Sequence, residues 1–259
     1  MKNKKRILSI ILGLLAVSLG YFAWSKWASA TRIALVNFPN YQVSNMALSN
    51  EDSFIKFEEV PLDQLDKLKN YDFVLAWGMG IKIDENQRNT IIKTAEKVPT
   101  HFVSVTSPEN DISSLSESQS EKVDSYLSSG NKKNFQSFAR YVRKYIDGKK
   151  FFAEEPEKVT EKKEDVFFHI DEEVAFSDIK AYEDYLKKNN LYQEGKPKIA
   201  IVSGIHDPFS GNKAHIDSII IFLQKSGLIV YPFASFGKRV EFLEQINPDA
   251  VIYFPHGRL

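Results

Sequence analysis

Five residues occupy positions where chemistry is expected: His206, Asp207, Asn212, His215 and His256. His206 and His256 each follow an apolar run that reads as a parallel strand, Ile199 to Val202 and Ala250 to Phe254. Strand ends of that kind would turn both imidazoles into one crevice. Neutral imidazole binds zinc, iron or copper and moves protons near neutral pH. Asp207 and His215 would complete a ligand set or orient the rings. The plainer reading has His206 and Asp207 bonding the loop backbone and His215 on a helix surface, because no dense ligand spacing such as H-x-x-x-H is present. Asn212 would cap a helix starting at Lys213, and that helix N-terminus is also a ready anion site.

Several familiar sites fail on spacing. Gly204 and Gly211 are too far apart for a P-loop. Asn212 separates Gly211 from Lys213, and Ala214 stands where a magnesium-holding Ser or Thr belongs. No G-x-G-x-x-G supports a dinucleotide site, and no G-x-S-x-G supports a nucleophile elbow. Gly78 and Gly80 read as turn residues after the strand ending at Trp77, His101 and His169 as structural.

The elements that must position the five candidates form a βαβ unit from Lys198 to Phe233. A run ending at Ser203-Gly204 is followed by a polar loop. A helix comes next, with Ala214, Ile216, Ile219, Ile220, Phe222 and Leu223 as its apolar positions and Gly227 at its C-terminus. Leu228 to Phe233 then forms a second strand. Parallel strands need such a crossover, and ligands gather at their carboxyl ends.

Upstream, strands are expected at Arg32–Phe38, Ser53–Val60, Tyr71–Trp77 and His101–Val105. Helices are expected from Pro61 to Asn70, from an Asp84 cap to Lys97, at Glu117–Ser128 and at Lys132–Ile146. Val166 to Ile170 reads as a short strand, and Ser177 as the cap of a helix from Asp178 to Asn190. The fold class is therefore α/β, with open, mostly parallel, flavodoxin-like sheets flanked by helices. The stretch 148–165 is rich in Lys and Glu and reads as an exposed linker. It would separate an N-terminal domain, 31–147, from a second, 166–259. The chain stops just after the strand ending at Phe254, before a covering helix, so the second domain looks truncated, with apolar surface around Val251 and Tyr253 left open.

Composition excludes some partners. Lys and Arg balance Asp and Glu, 34 against 34, so no basic footprint points to nucleic acid. There is no cysteine, hence no disulfide, thiolate metal site or Cys nucleophile. Lys2, Lys4, Lys5 and Arg6 precede an uncharged run from Ile7 to Ser25, with Tyr21, Phe22, Trp24 and Trp27 towards its far end. That run has the length and aromatic belt of one transmembrane helix, its basic flank cytoplasmic. Residues 1–30 are thus expected to be a signal anchor in a bacterial inner membrane, crossing once, with the soluble part on the periplasmic side. Ala28-Ser29-Ala30 also fits a signal cleavage site, so a cleaved leader is the competing reading.

A resemblance adds to this. Phe168-His169-Ile170-Asp171, then Phe176, Tyr182 and Tyr185-Leu186, resembles a family run of the form HPDAP…F…EYL. Pro197 to Val202, Ser210-Gly211-Asn212, His215 to Ile219 and Gly227 to Phe233 follow in the same order and spacing. The pattern is similar to the large subunit of cobaltochelatase (CobN) and its relative, the magnesium chelatase H subunit. The resemblance covers Val166 to Leu259 well and Arg32 to Ile146 only in layout. It implies a tetrapyrrole ligand, a divalent metal, cobalt or magnesium as in cobalamin biosynthesis, and ATP-hydrolysing partner subunits. An anchored, exported relative fits haem better, with iron removal as the reaction. Family members are far longer, so the catalytic body is expected beyond residue 259 and no catalytic residue is carried over. The alternative is a non-catalytic, membrane-tethered extracytoplasmic binding protein whose two α/β lobes close on a small ligand.

Overall fold

Strands and helices follow the apolar spacing of the chain closely in its central elements and less closely in its short ones. The computed structural model describes residues 2–78, 83–103, 111–161, 163–170, 174–204, 213–235 and 237–254. The chain divides into two compact units, Met1–Leu127 with Phe135–Val159, and Ser128–Asn134 with Thr160–Leu259.

The first unit opens with helix α1, Lys2–Trp27, whose Ile10–Trp27 portion is long and apolar enough to cross a membrane and is not buried in the protein. A five-stranded sheet follows, built from β1 (Thr31–Val36), β2 (Ile55–Val60), β3 (Phe73–Trp77), β4 (Thr100–Val103) and β5 (Ile112–Ser113), in the order β2-β1-β3-β4-β5. The first four strands are parallel; β5 returns antiparallel beside β4. The connection between β4 and β5 is too short for a crossover helix, which takes a dozen or more residues, so β5 must run back.

Alternate residues of β1 and β3 serve opposite faces, as the period of a strand requires. Ile33, Leu35, Phe73 and Leu75 meet α2 (Asn40–Ser49), α4 (Glu117–Ser129) and α5 (Lys132–Tyr141) through Met46, Val123, Tyr126, Phe138 and Val142. Ala34, Val36, Val74 and Ala76 meet Leu65, Leu68 and α3 (Glu85–Ala95) through Ile91. Asp84 does cap α3, and with Gln87 it forms a reciprocal capping box, its carboxylate accepting from the Gln87 amide at 2.8 Å. The segment Leu62–Asn70 is a 3₁₀ helix interrupted at Gln64 rather than an α-helix. A π-helical turn, Val142–Ile146, ends α5.

In the second unit the sheet order is β10-β8-β9-β6-β7, from β6 (Val166–Phe168), β7 (Ala175–Phe176), β8 (Lys198–Ser203), β9 (Ile229–Ala234) and β10 (Ala250–Tyr253). Here β10, β8 and β9 are parallel, while β6 runs antiparallel to both β9 and β7. Both sheets are thus mixed: the first is mostly parallel as expected, with one antiparallel edge, whereas the second is only half parallel. The expected βαβ unit is present, with α7 (Ala214–Lys225) as its crossover. Gly227 adopts φ +80°, and Leu228 N–H reaches back to Leu223 O at 3.2 Å, closing α7 with a glycine in the left-handed region.

Helices α6 (Ile179–Lys188) and α8 (Arg239–Ile246) cover one face, burying Tyr182, Leu186, Phe242 and Ile246 against Phe167, Tyr231 and Phe233. Helix α7 covers the other through Ile216 and Ile220. The cap of α6 is Asp178, whose carboxylate accepts from Ala181 N–H at 2.8 Å; Ser177 does not serve. On the edge strand β10, Val251 and Tyr253 are exposed. The Lys- and Glu-rich stretch is mostly exposed, as expected, but tied down at points: Lys149 is buried, Tyr126 donates to Glu157 O at 2.8 Å, and Val159 packs against the first core.

Candidate functional site

The crevice expected at the carboxyl ends of the second sheet is bounded by the buried Ser203 at the end of β8, the last residue of β10 and the first turn of α7. His215 lies on that first turn, exposed, with its ring edge-on to Phe254 at 5.8 Å between centroids. This is the helix-surface position of the plainer reading. His206, Asp207, Asn212 and His256 lie outside the described residues, as does Gly80. Of the five candidates, His215 alone has a described position.

Lys213, which immediately precedes α7, is a buried cation that the sequence reading passed over. Its ammonium donates to the carbonyls of His169 at 3.0 Å and Ile170 at 2.7 Å, and to Asp217 at 3.0 Å. An ammonium has three protons, and these partners take all of them. Lys213 thus pins the chain after β6 to the start of α7 rather than presenting a free charge.

His169 is likewise consumed within the unit. Its Nε2 lies 2.9 Å from the Gln224 amide nitrogen and its Nδ1 3.2 Å from the Tyr185 hydroxyl, so both ring nitrogens are engaged. His101, in the first unit, bonds Asp124 at 2.9 Å and Ser113 at 3.2 Å and ties α4 to the sheet edge. Among the described residues no group of three or more His, Cys, Asp or Glu side chains is placed to hold a metal ion.

A second polar assembly sits at the opposite kind of place, the strand starts of the first sheet. Arg143 is fully buried. Its guanidinium donates to Ser29 O at 2.8 Å, Thr31 Oγ1 at 3.1 Å, Phe54 O at 3.1 Å and Phe151 O at 2.8 Å, and lies 5.2 Å from the Phe54 ring centroid. Beside it, Thr31 donates to Asp147 at 2.7 Å. Lys149 bridges Asp147 at 2.9 Å, Asp72 at 3.1 Å and Ala30 O at 3.2 Å. Burial lowers the pKa of Arg143 and raises that of Asp147, in both cases against the charged form. Next to this cluster an open cleft of about 430 Å³ is lined by residues 51–54 and 152–154, with Phe54 and Phe152 stacked at 4.9 Å. The signal for this assembly was Arg143 directly after Val142, in a helix pattern that also carries Phe135 and Phe138.

Two mixed five-stranded sheets with flanking helices and one apolar N-terminal helix define an α/β protein. Residues 124–259 match the CobN/Magnesium Chelatase family, which is more than half of the chain, and the protein belongs to that family. Comparison with curated proteins finds no match. Among solved structures, a D-lactate dehydrogenase from Sporolactobacillus sp. aligns over 87% of this chain and 57% of its own, at 11% identity and a TM-score of 0.24, too weak a likeness to carry any argument.

Proposed function

We propose that this chain works as the N-terminal α/β region of a membrane-anchored, tetrapyrrole metal-chelatase-like large subunit. The observation that carries the reading is the family match over residues 124–259. In this reading α1 crosses a bacterial inner membrane once and holds an N-terminal domain, 31–147, and a second, 166–259, joined by 148–165, on the periplasmic side. The strand order of the first sheet, with β1 between β2 and β3, supports a flavodoxin-like core there.

The ligand is a porphyrin or corrin ring and the metal is its cargo. Outside the cytoplasm, where ATP is scarce, removal of iron from haem is favoured over ATP-driven insertion. The crevice at β8, α7 and β10 is the proposed contact surface, with His215 beside Phe254 as the described polar group. An exposed imidazole next to an aromatic edge suits a planar, metal-bearing ring, since neutral imidazole ligates iron and the ring stacks on aromatic surface.

Titration of the detergent-solubilised protein with haem and with metal-free porphyrin tests the reading. A saturable Soret shift that weakens in His215→Ala is expected. An unchanged Soret band, together with saturable binding of a sugar or amino acid, would favour the two-lobed binding protein instead.

A further inference from the structure

We propose that the end of the first unit carrying Phe151 and Phe152 rests on the lipid surface, with both rings in the headgroup layer beside the end of α1. The proposal rests on the reading that α1 spans a membrane. Helix α1 ends at Trp27 and β1 begins at Thr31, so the residues between them are Ala28 to Ala30. Ala28 and Ser29 still bond back to Trp24 O, at 2.9 and 2.8 Å. From Trp27 to Thr31 such a link reaches at most about 14 Å even when fully extended. The unit therefore cannot stand away from the bilayer, and one of its faces must meet the headgroups.

The polar assembly identifies that face. One guanidinium, Arg143, holds Ser29 O at 2.8 Å and Phe151 O at 2.8 Å, and Lys149 holds Ala30 O at 3.2 Å. The 149–152 segment is thereby fixed beside the point where the helix emerges. What it presents there is apolar: Phe151 and Phe152 are each 60% exposed. Phe152 adopts φ +55°, a left-handed conformation that costs an ordinary residue about 1 kcal/mol and that Gly or Asn would adopt more readily. The stack on Phe54 holds it there. Trp24 and Trp27, at the end of the helix, are exposed as well. Trp concentrates at this level of a bilayer because its ring is apolar with one polar edge, and exposed Phe beside it adds apolar surface for the acyl boundary.

Charge at this end is balanced. Of the carboxylates lining the cleft, Glu154 is paired with Arg140, and Lys26 and Lys150 offset Glu51 and Asp52. The face therefore suits zwitterionic lipid, and the docking is insensitive to salt.

The absence of cysteine allows single reporters in the full chain. The protein, reconstituted into phosphatidylcholine vesicles, is labelled with an environment-sensitive fluorophore at Lys150→Cys, which leaves both phenylalanines in place. Controls are Gly13→Cys within α1 and Glu85→Cys at the start of α3, on the strand-carboxyl end of the sheet. Lipid-borne nitroxides should quench the labels at positions 13 and 150 and spare the one at 85, at low and high salt alike. Adding Phe151→Ser and Phe152→Asn, the latter tolerant of the left-handed backbone, should release the label at 150. If position 13 is quenched while 150 matches 85, the docking proposal falls alone. If position 13 is unquenched, the membrane-span reading falls and takes the docking with it.

Discussion

The two units hold their strands together by different chemistry. At the strand starts of the first sheet, Arg143 gathers oxygens from residues 29, 31, 54 and 151, with Lys149 and Asp147 alongside. In the second unit the tightness comes from rings. Phe167 lies 5.5 Å from Tyr182, 5.9 Å from Phe233 and 4.5 Å from Phe242, centroid to centroid. A buried charged hub fails as a whole, because removing it leaves several acceptors unpaired away from water. A ring cluster loses stability in proportion to the surface and volume removed. The Arg143 end of the first unit should therefore be brittle to one substitution, and the ring cluster of the second, away from its own smaller hub at Lys213, should yield gradually.

The largest test is Arg143→Ala, expected to cost about 3–5 kcal/mol in the first unit. Trp24, Trp27 and Trp77 all lie in that unit, so tryptophan fluorescence during urea unfolding reports it selectively. A loss no greater than that of an ordinary surface change would break the contrast. Phe167→Leu should cost the second unit about 1–2 kcal/mol, seen as faster amide exchange in β8 and β9 with the tryptophan signal unchanged. Tyr182 donates from a fully buried hydroxyl to Val230 O at 2.9 Å. Tyr182→Phe should cost about 1 kcal/mol by the same exchange measurement, and a cost equal to that of Phe167→Leu would make the second unit a polar hub too.

The smallest effect concerns the exposed pair Arg32–Glu58, 2.9 Å apart. The Arg32 guanidinium holds the Glu58 carboxyl below its usual pKa. A depressed folded-state pKa means that this stabilisation is present above the ordinary carboxylate value and is lost as pH falls through the folded one. Both side chains are over a third exposed, so water screens the pair and the effect stays below about 1 kcal/mol. Glu58→Gln should flatten the stability loss of the first unit between about pH 5 and pH 3. An unchanged slope would remove Glu58 from the account.

Local patterns carried much of the fold into the sequence. β1, β3 and the β8–α7–β9 unit announce themselves because long apolar runs and a helical period are encoded residue by residue. Helix α2 does not, since NYQVSNMALS has no continuous apolar stripe and its Met46 is buried only because the sheet lies beneath it. The direction of β6 was also illegible: a strand of three residues looks the same whichever way its neighbour runs. His215 was legible as a helix residue able to complete a ligand set, whereas the role of Lys213 was not, because its carbonyl partners lie 43 and 44 residues earlier in the chain.

By itself the sequence determined the α/β class, the apolar N-terminal helix and the family, through motifs whose order survives without knowledge of contacts. Tertiary structure alone decided that both sheets are mixed. It also decided that Lys213 and His169 are spent on internal bonds, and that Arg143 joins chain segments 89 and 114 residues away. The physical reason is the same in each case. Periodicity is a property of neighbours along the chain, while the partner of a buried polar group is chosen by whichever distant backbone folds into reach, and no spacing rule records that choice.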